Sequence, residues 1–301
     1  MTMRLAAKIL GVIVAFLAFR AFPVETIPVP NGSFESPTTT YASPFMDDWQ
    51  KTAKPDWYDE GSGAFLWTQL TGEFKNLPPG AVGYIDNCDG DQAAWMFVIP
   101  QVGIFQDYDS PSNHTFNATY EVGKSYHLTV GIIGTGGNMT VGATFELALY
   151  YRDATSNMVF VAATSVTNLP TVFSNNTHFI DFRAETAGVR ASDPWAGQHI
   201  GVGLFSTITD TNMEGGYWDL DNVRLTSTIE PTLSSPVWSN NQLSFGIQSE
   251  AGVVFEIQKT SDIATVSWSS TGFLTNTSGT AVFTDTNAVS NESYYRARVV
   301  P

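Results

Sequence analysis

From Phe22 onward the chain is a succession of short runs in which apolar residues alternate or cluster, each closed by turn chemistry. The runs are Ala64–Leu70, Ala93–Ile99, Ser125–Ile133, Thr144–Tyr151, Val159–Thr164, His178–Phe182, Ile200–Ser206 and Tyr217–Leu225. Between them lie NLPPG, DNCDGDQ, DYDSPSN, GTGGN and TDTNMEGG. A period of two sends successive side chains to opposite faces, which suits strands laid against a core. Gly, Asn, Asp and Pro in the gaps supply the backbone angles that tight reversals need. No amphipathic helical pattern alternates with these runs, so α/β architectures are excluded and an all-β sandwich is predicted. The one helical signal is Ser43-Pro44, which predicts a single turn over FMDDWQ with proline at its first position.

A boundary is predicted near Ser227, because residues 228–236 (TIEPTLSSP) combine two prolines with several hydroxyl residues, the composition of a linker. Residues 237–301 carry a separate strand series, Gln242–Ile247, Val253–Gln258, Thr265–Trp268, Thr280–Thr284 and Ser293–Val299. Trp238, Phe245, Phe255, Trp268, Phe283 and Tyr295 are its candidate core. The organisation read from the sequence is therefore a large sandwich over 27–227 and a small immunoglobulin- or fibronectin-like one over 237–301.

Residues 1–21 read as an export signal. Arg4 and Lys8 precede an apolar run from Ile9 to Phe19, whose 11 residues fall short of the about 20 a membrane helix needs. Phe19 makes a cut near Ala21 a poor one, so an uncleaved amino-terminal anchor is the alternative and the one membrane association expected. The expected location is secreted, periplasmic or cell-surface. The single cysteine, Cys88, excludes an internal disulfide. A net charge of −15 argues against nucleic-acid partners.

The stretch GGYWDLDNVRLT, 215–226, places two carboxylates in a predicted strand. Unbroken alternation would put Asp219, Asp221, Val223 and Leu225 on one face and Trp218, Leu220, Asn222 and Arg224 on the other. Neither face is then cleanly apolar, and the pattern alone leaves the carboxylates unexplained.

Read together, VPNGSFE at 29–35, PDWYDEGSG at 55–63, GDQAAWMF and VGIFQDY within 90–108, and YWDLDNVRLT at 217–226 resemble the galactose-binding-like jelly rolls that include many carbohydrate-binding modules. The carboxy-terminal part resembles a short β-sandwich module appended to secreted or surface proteins of environmental bacteria. The first resemblance implies a structural calcium ion held by Glu35 and Asp221, one carboxylate from each end of the domain, with backbone carbonyls completing a hard-oxygen shell. It also implies a non-catalytic protein whose partner is a polysaccharide or glycoconjugate. Tyr58 and Trp67 are then the candidate stacking platforms, with Glu60 and Gln69 as hydroxyl partners, while Trp57 is assigned to packing. A structural or adhesive envelope or matrix protein without a specific sugar ligand is the alternative.

Signals for catalysis are absent from the sequence. The four histidines are scattered without a zinc spacing, and no nucleophile elbow occurs. Asp86, Asp89 and Asp91 have the wrong spacing for an EF-hand. The sequence reading is accordingly that the protein is no enzyme.

Overall fold

The computed structural model describes residues 24–62, 65–108, 116–209, 214–229, 231–234, 236–240, 242–249, 251–262, 267–288 and 293–300. The segment read as an export signal lies outside them. The chain divides into two compact units at the step from Ser227 to Thr228. Both are antiparallel β-sandwiches, as the strand pattern requires.

The larger unit contains β1 (Glu25–Ile27), β2 (Ala42–Ser43), β3 (Gln50–Lys51), β4 (Thr71–Lys75), β5 (Gln92–Phe97), β6 (Gly103–Gln106), β7 (Lys124–Gly136), β8 (Thr144–Arg152), β9 (Met158–Thr167), β10 (Ile180–Glu185), β11 (Gly201–Ser206) and β12 (Tyr217–Ile229). One sheet runs β10-β7-β12-β5-β4-β2, with β1 added to the far half of β12; the other runs β3-β6-β11-β8-β9. The jelly-roll-like core between them is filled by alternate residues: Tyr126, Leu128, Val130 and Ile132 from β7, Phe145, Leu147 and Leu149 from β8, Ala94 and Met96 from β5, Val202 and Leu204 from β11. Each large aliphatic or aromatic side chain so buried contributes about 1.5–3 kcal/mol.

Two strand expectations shift, for local reasons. Ala64–Leu70 is not a strand: its described part closes into a 3-10 turn at Trp67–Gln69, where the Gln69 side chain accepts the Leu66 N–H at 3.0 Å, and β4 begins only at Thr71. No helical turn forms over residues 45–50; the preceding Ala42–Ser43 pairs with β4 instead.

The closing strand departs from unbroken alternation. Asn222 adopts a left-handed conformation (φ 52°), and this bulge shifts the side-chain phase by one. Val223 and Leu225 consequently join Trp218 and Leu220 in the core, while Tyr217, Asp219 and Asp221 lie on the opposite, outer face.

The smaller unit contains β13 (Thr232–Leu233), β14 (Val237–Ser239), β15 (Gln242–Gln248), β16 (Val254–Thr260), β17 (Ser269–Thr275), β18 (Thr280–Asp285) and β19 (Tyr294–Val299). β13, β14 and β18 flank β15 in one sheet, and β17-β16-β19 form the other. Leu243, Phe245, Ile247, Phe255, Ile257 and Tyr295 are its core. Trp238 is exposed, not a core residue, and Trp268 lies half-buried under the Arg296 guanidinium at 4.4 Å.

Candidate active site

The outer face of the seven-stranded sheet is aromatic where an ordinary solvated face would be polar. Register places Tyr217 opposite Phe97 and Asp219 opposite Trp95, and Gly72 stands opposite Trp95 on the next strand. Residues opposite each other in a ladder share a face, so Tyr217, Asp219, Trp95 and Phe97 form one surface. Phe65 extends it by stacking on Phe97 at 5.5 Å, and Phe97 meets Tyr217 edge-on at 6.3 Å.

Among the described residues, Asp219 is the carboxyl group that the register sets on this aromatic face. Burial pushes its pKa up to about 8, and that is the single cause of the shift. Among the described residues, no hydrogen bond or ion pair engages its carboxylate. Its side chain is half-buried on this face, and the desolvation favours the neutral acid. Its neighbour Tyr217 is likewise shifted upward, by burial and then by the charge of Asp219. A carboxylic acid kept protonated on an aromatic surface is equipped to donate a proton.

Two residues along β12 the surroundings change. Asp221 is fully buried, with Oδ2 accepting the Asp89 N–H at 2.6 Å and Oδ1 the Asn222 N–H at 2.7 Å. Burial raises its pKa to about 7 despite those bonds, and the charge of Asp89 adds to the rise. On the other side of the same turn, Glu35 Oε1 accepts the N–H groups of Asp91 and Gln92 at 2.8 and 2.7 Å. The turn between them packs so tightly that a Cβ at Gly90 would sit 2.4 Å from Glu35 Oε1. The structure therefore brings Glu35 and Asp221 together across one turn. Among the described residues no three Cys, His, Asp or Glu side chains converge into a metal cluster. Glu35 and Asp221, one from each end of the domain, are nonetheless hard oxygen donors of the kind calcium takes, and the charge of Asp89 acts on Asp221.

The four residues read as sugar contacts lie in one loop beside the aromatic face. Tyr58 and Trp67 are buried, with the Tyr58 hydroxyl donating to the Phe65 carbonyl at 2.8 Å and the Trp67 indole N–H to the Thr52 carbonyl at 2.6 Å. Glu60 accepts the Trp67 N–H at 2.7 Å, and Gln69 is engaged by Leu66 as above. Trp57, assigned to packing from the sequence, is 46% exposed, edge-on to Tyr58 and Trp67. The described histidines stay apart: His127 lies 3.6 Å from Glu185, His178 2.6 Å from Asp86, and His199 stacks on Tyr108. A groove of about 500 Å³ in the smaller unit, against Leu233, Phe245 and Val282, has no titratable residue in its lining among the described residues.

Sequence reasoning missed Asp219. The strand DLD was visible, but nothing in it reported that Trp95, 124 positions earlier, would stand opposite the first Asp.

The model of the HpiC1-like family, described as HpiC1 cyclase, matches residues 25–226, and this chain belongs to that family. No curated protein matches the chain. Among solved structures, the cyclase Fisc from Fischerella sp. TAU, in complex with (3Z)-3-(1-methyl-2-pyrrolidinylidene)-3H-indole, is 20% identical over 68% of this chain and 98% of its own, with a TM-score of 0.49. A Fischerella sp. TAU cyclase in complex with 4-(1H-indol-3-yl)butan-2-one is 19% identical over 69% of this chain and 99% of its own, with a TM-score of 0.48. The CBM22-1 xylan-binding domain of Paenibacillus barcinonensis Xyn10C is 10% identical over 61% of this chain and 87% of its own, with a TM-score of 0.31.

Membership of a cyclase family overturns the reading of a galactose-binding-like, non-catalytic carbohydrate-binding protein, and with it the polysaccharide or glycoconjugate partner and the adhesive alternative. The motifs that suggested it serve the frame. In VPNGSFE, Phe34 is fully buried and stacks on Trp49 at 5.4 Å, and Gly32 passes so close to β12 that a Cβ there would lie 2.5 Å from the Val223 carbonyl oxygen. These are demands of closing the sandwich, and they are silent about its ligand.

Proposed function

We propose that the unit Glu25–Ser227 is a cyclase that starts ring closure by protonating an apolar, unsaturated substrate, with Asp219 as the acid. The observation that carries this reading is the placement of Asp219 opposite Trp95 and beside Tyr217 on the aromatic face, with no hydrogen bond or ion pair to its carboxyl among the described residues. Proton transfer from Asp219 to a substrate π bond leaves a carbocation on the substrate and a carboxylate on the protein. The ring faces of Trp95, Phe97 and Tyr217 stabilise that cation electrostatically. A tethered double bond then attacks it, forming the new carbon–carbon bond. Loss of a proton to Asp219 completes the product and restores the acid, so substrate and product are isomers.

The test uses 4-(1H-indol-3-yl)butan-2-one, the ligand of one Fischerella cyclase, as a binding probe by calorimetry, and a panel of 3-alkenylindoles as substrates. Conversion to a product of equal mass, abolished in Asp219→Asn, supports the reading. No binding and no isomer, or full turnover in Asp219→Asn, refutes it.

The same proposal includes a calcium ion held by Glu35 and Asp221, the two carboxylates that accept backbone N–H groups of the turn at 89–92. Calcium that binds only the folded protein raises its unfolding midpoint by mass action. A midpoint equal in calcium and in chelator, or a calcium response undiminished in Asp221→Ala, removes the ion from the scheme.

A further inference from the structure

Two glycines beside the candidate site occupy positions where a strand gains nothing from glycine. Gly72 is inside β4 and Gly136 ends β7, and neither has the positive φ that glycine alone accepts readily. A glycine in a strand costs stability and marks a close approach. At Gly72 the space of a Cβ is filled by the Trp95 ring, whose Cη2 would lie 2.3 Å away, and by the Ser43 carbonyl oxygen, also at 2.3 Å. At Gly136 it is filled by Tyr217, with the carbonyl oxygen at 2.5 Å and ring atoms Cδ2 and Cε2 at 2.6 Å.

The direction of each ring follows. Trp95 is rooted opposite Asp219 and lies across β4, away from it. Tyr217, two residues from Asp219, lies across β7. The two aromatic walls are thus folded down onto neighbouring strands on opposite sides of the acid. On β7 a second device prepares this arrangement: Thr135, β-branched, holds φ 70°, an outlying conformation for such a residue. Ile133 packs on the outer side with Phe179, whereas a Cβ at Gly134 would point at Phe173 in the core. Continued alternation would turn Gly136 to the core as well. The irregularity at Thr135 turns it instead to the outer face, beneath Tyr217.

We infer that Gly72 and Gly136 are positioning residues that hold the Trp95 and Tyr217 rings flat and clear the space over Asp219 for a planar substrate. This rests on the assignment of Asp219 as the acid and names what decides the shape admitted to it. A side chain on either glycine lifts the adjoining ring into that space.

The test compares binding and turnover. In the parent protein 4-(1H-indol-3-yl)butan-2-one is titrated calorimetrically, and isomer formation from the 3-alkenylindole panel is timed. Gly72→Ala is expected to weaken binding and raise KM at least tenfold with a smaller change in kcat. Because this alanine also presses on the Ser43 carbonyl, the double variant Gly72→Ala/Trp95→Leu is made alongside it; removing the displaced ring is expected to restore binding to within about threefold of Trp95→Leu alone. A general loss of folding would leave the double variant as weak as the single one, and that result overturns the inference. So does a Gly72→Ala protein that binds and turns over like the parent. If Asp219→Asn abolishes turnover while Gly72→Ala has no effect, the acid stands and the positioning role falls. If the parent neither binds nor converts any of these compounds, both fall together.

Discussion

Replacing Asp219 by Asn changes one oxygen to nitrogen and removes the acidic proton while keeping the shape. With burial raising its pKa to about 8, Asp219 is mainly the neutral acid at pH 7, so parent and variant carry nearly the same charge there. General acid catalysis is worth about 10²- to 10⁴-fold, which at about 1.4 kcal/mol per decade corresponds to about 3–5.5 kcal/mol of barrier. The expected loss in kcat is in that range, with probe binding changed by less than about threefold. Stability supplies an independent check. A carboxyl whose folded pKa is raised contributes stability that is complete below its unfolded value of 3.8 and is lost as pH rises through about 8. Between those limits this group lowers stability by up to about 1.4 kcal/mol per pH unit, and the amide does not titrate. Urea unfolding of both proteins at pH 5, 6 and 7, in calcium-free buffer, should therefore show a shallower pH dependence in the variant. Parallel stability curves would mean that Asp219 is not held as the neutral acid. Turnover retained within tenfold would remove it from catalysis whatever its charge.

Three further outcomes follow from the frame. Glu73 is fully buried, and burial first, then the charges of Asp47 and Glu35, push it up to about 8 against a bond from Asn31. The same sign applies as for Asp219, so Glu73→Gln is expected to flatten the fall in stability between pH 4.5 and 8, as read by urea midpoints. Asn222→Val forces a β-branched residue into the left-handed bulge and should cost about 1–2 kcal/mol in chemical unfolding, whereas Asn222→Gly should be nearly neutral. In the smaller unit, burial works to raise Asp285, but bonds from Tyr295 at 2.7 Å and Lys259 at 3.0 Å outweigh it and hold the carboxyl below its ordinary value. Its stabilisation is present above about pH 4 and lost as pH falls through the lowered folded value, so hydrogen exchange in β15–β19 should quicken in acid for the parent and change less for Asp285→Asn.

Much of this protein was legible from residue order alone. Alternating runs and Gly, Asn and Pro punctuation dictated an all-β chain, because a two-residue period has few ways to bury one face. The approach of Glu35 and Asp221 to one turn was legible too, through the resemblance carried by VPNGSFE and YWDLDNVRLT. Phase along β12 was not. A bulge consumes one residue without leaving a hydrophobic signature, and the left-handed turn at Asn222 moved Val223 and Leu225 into the core.

The site lay further from view. Gly72, Trp95, Gly136 and Asp219 belong to four strands, and only the sheet order β4-β5-β12-β7 makes them neighbours. Asp219 read in sequence is one of two acids in a polar turn-and-strand. Register places an indole opposite it, and burial raises its proton affinity. The sequence determined by itself that strands would form and which ends would meet. The tertiary structure decided which acid stands alone among aromatic rings, because desolvation depends on what surrounds a group in space.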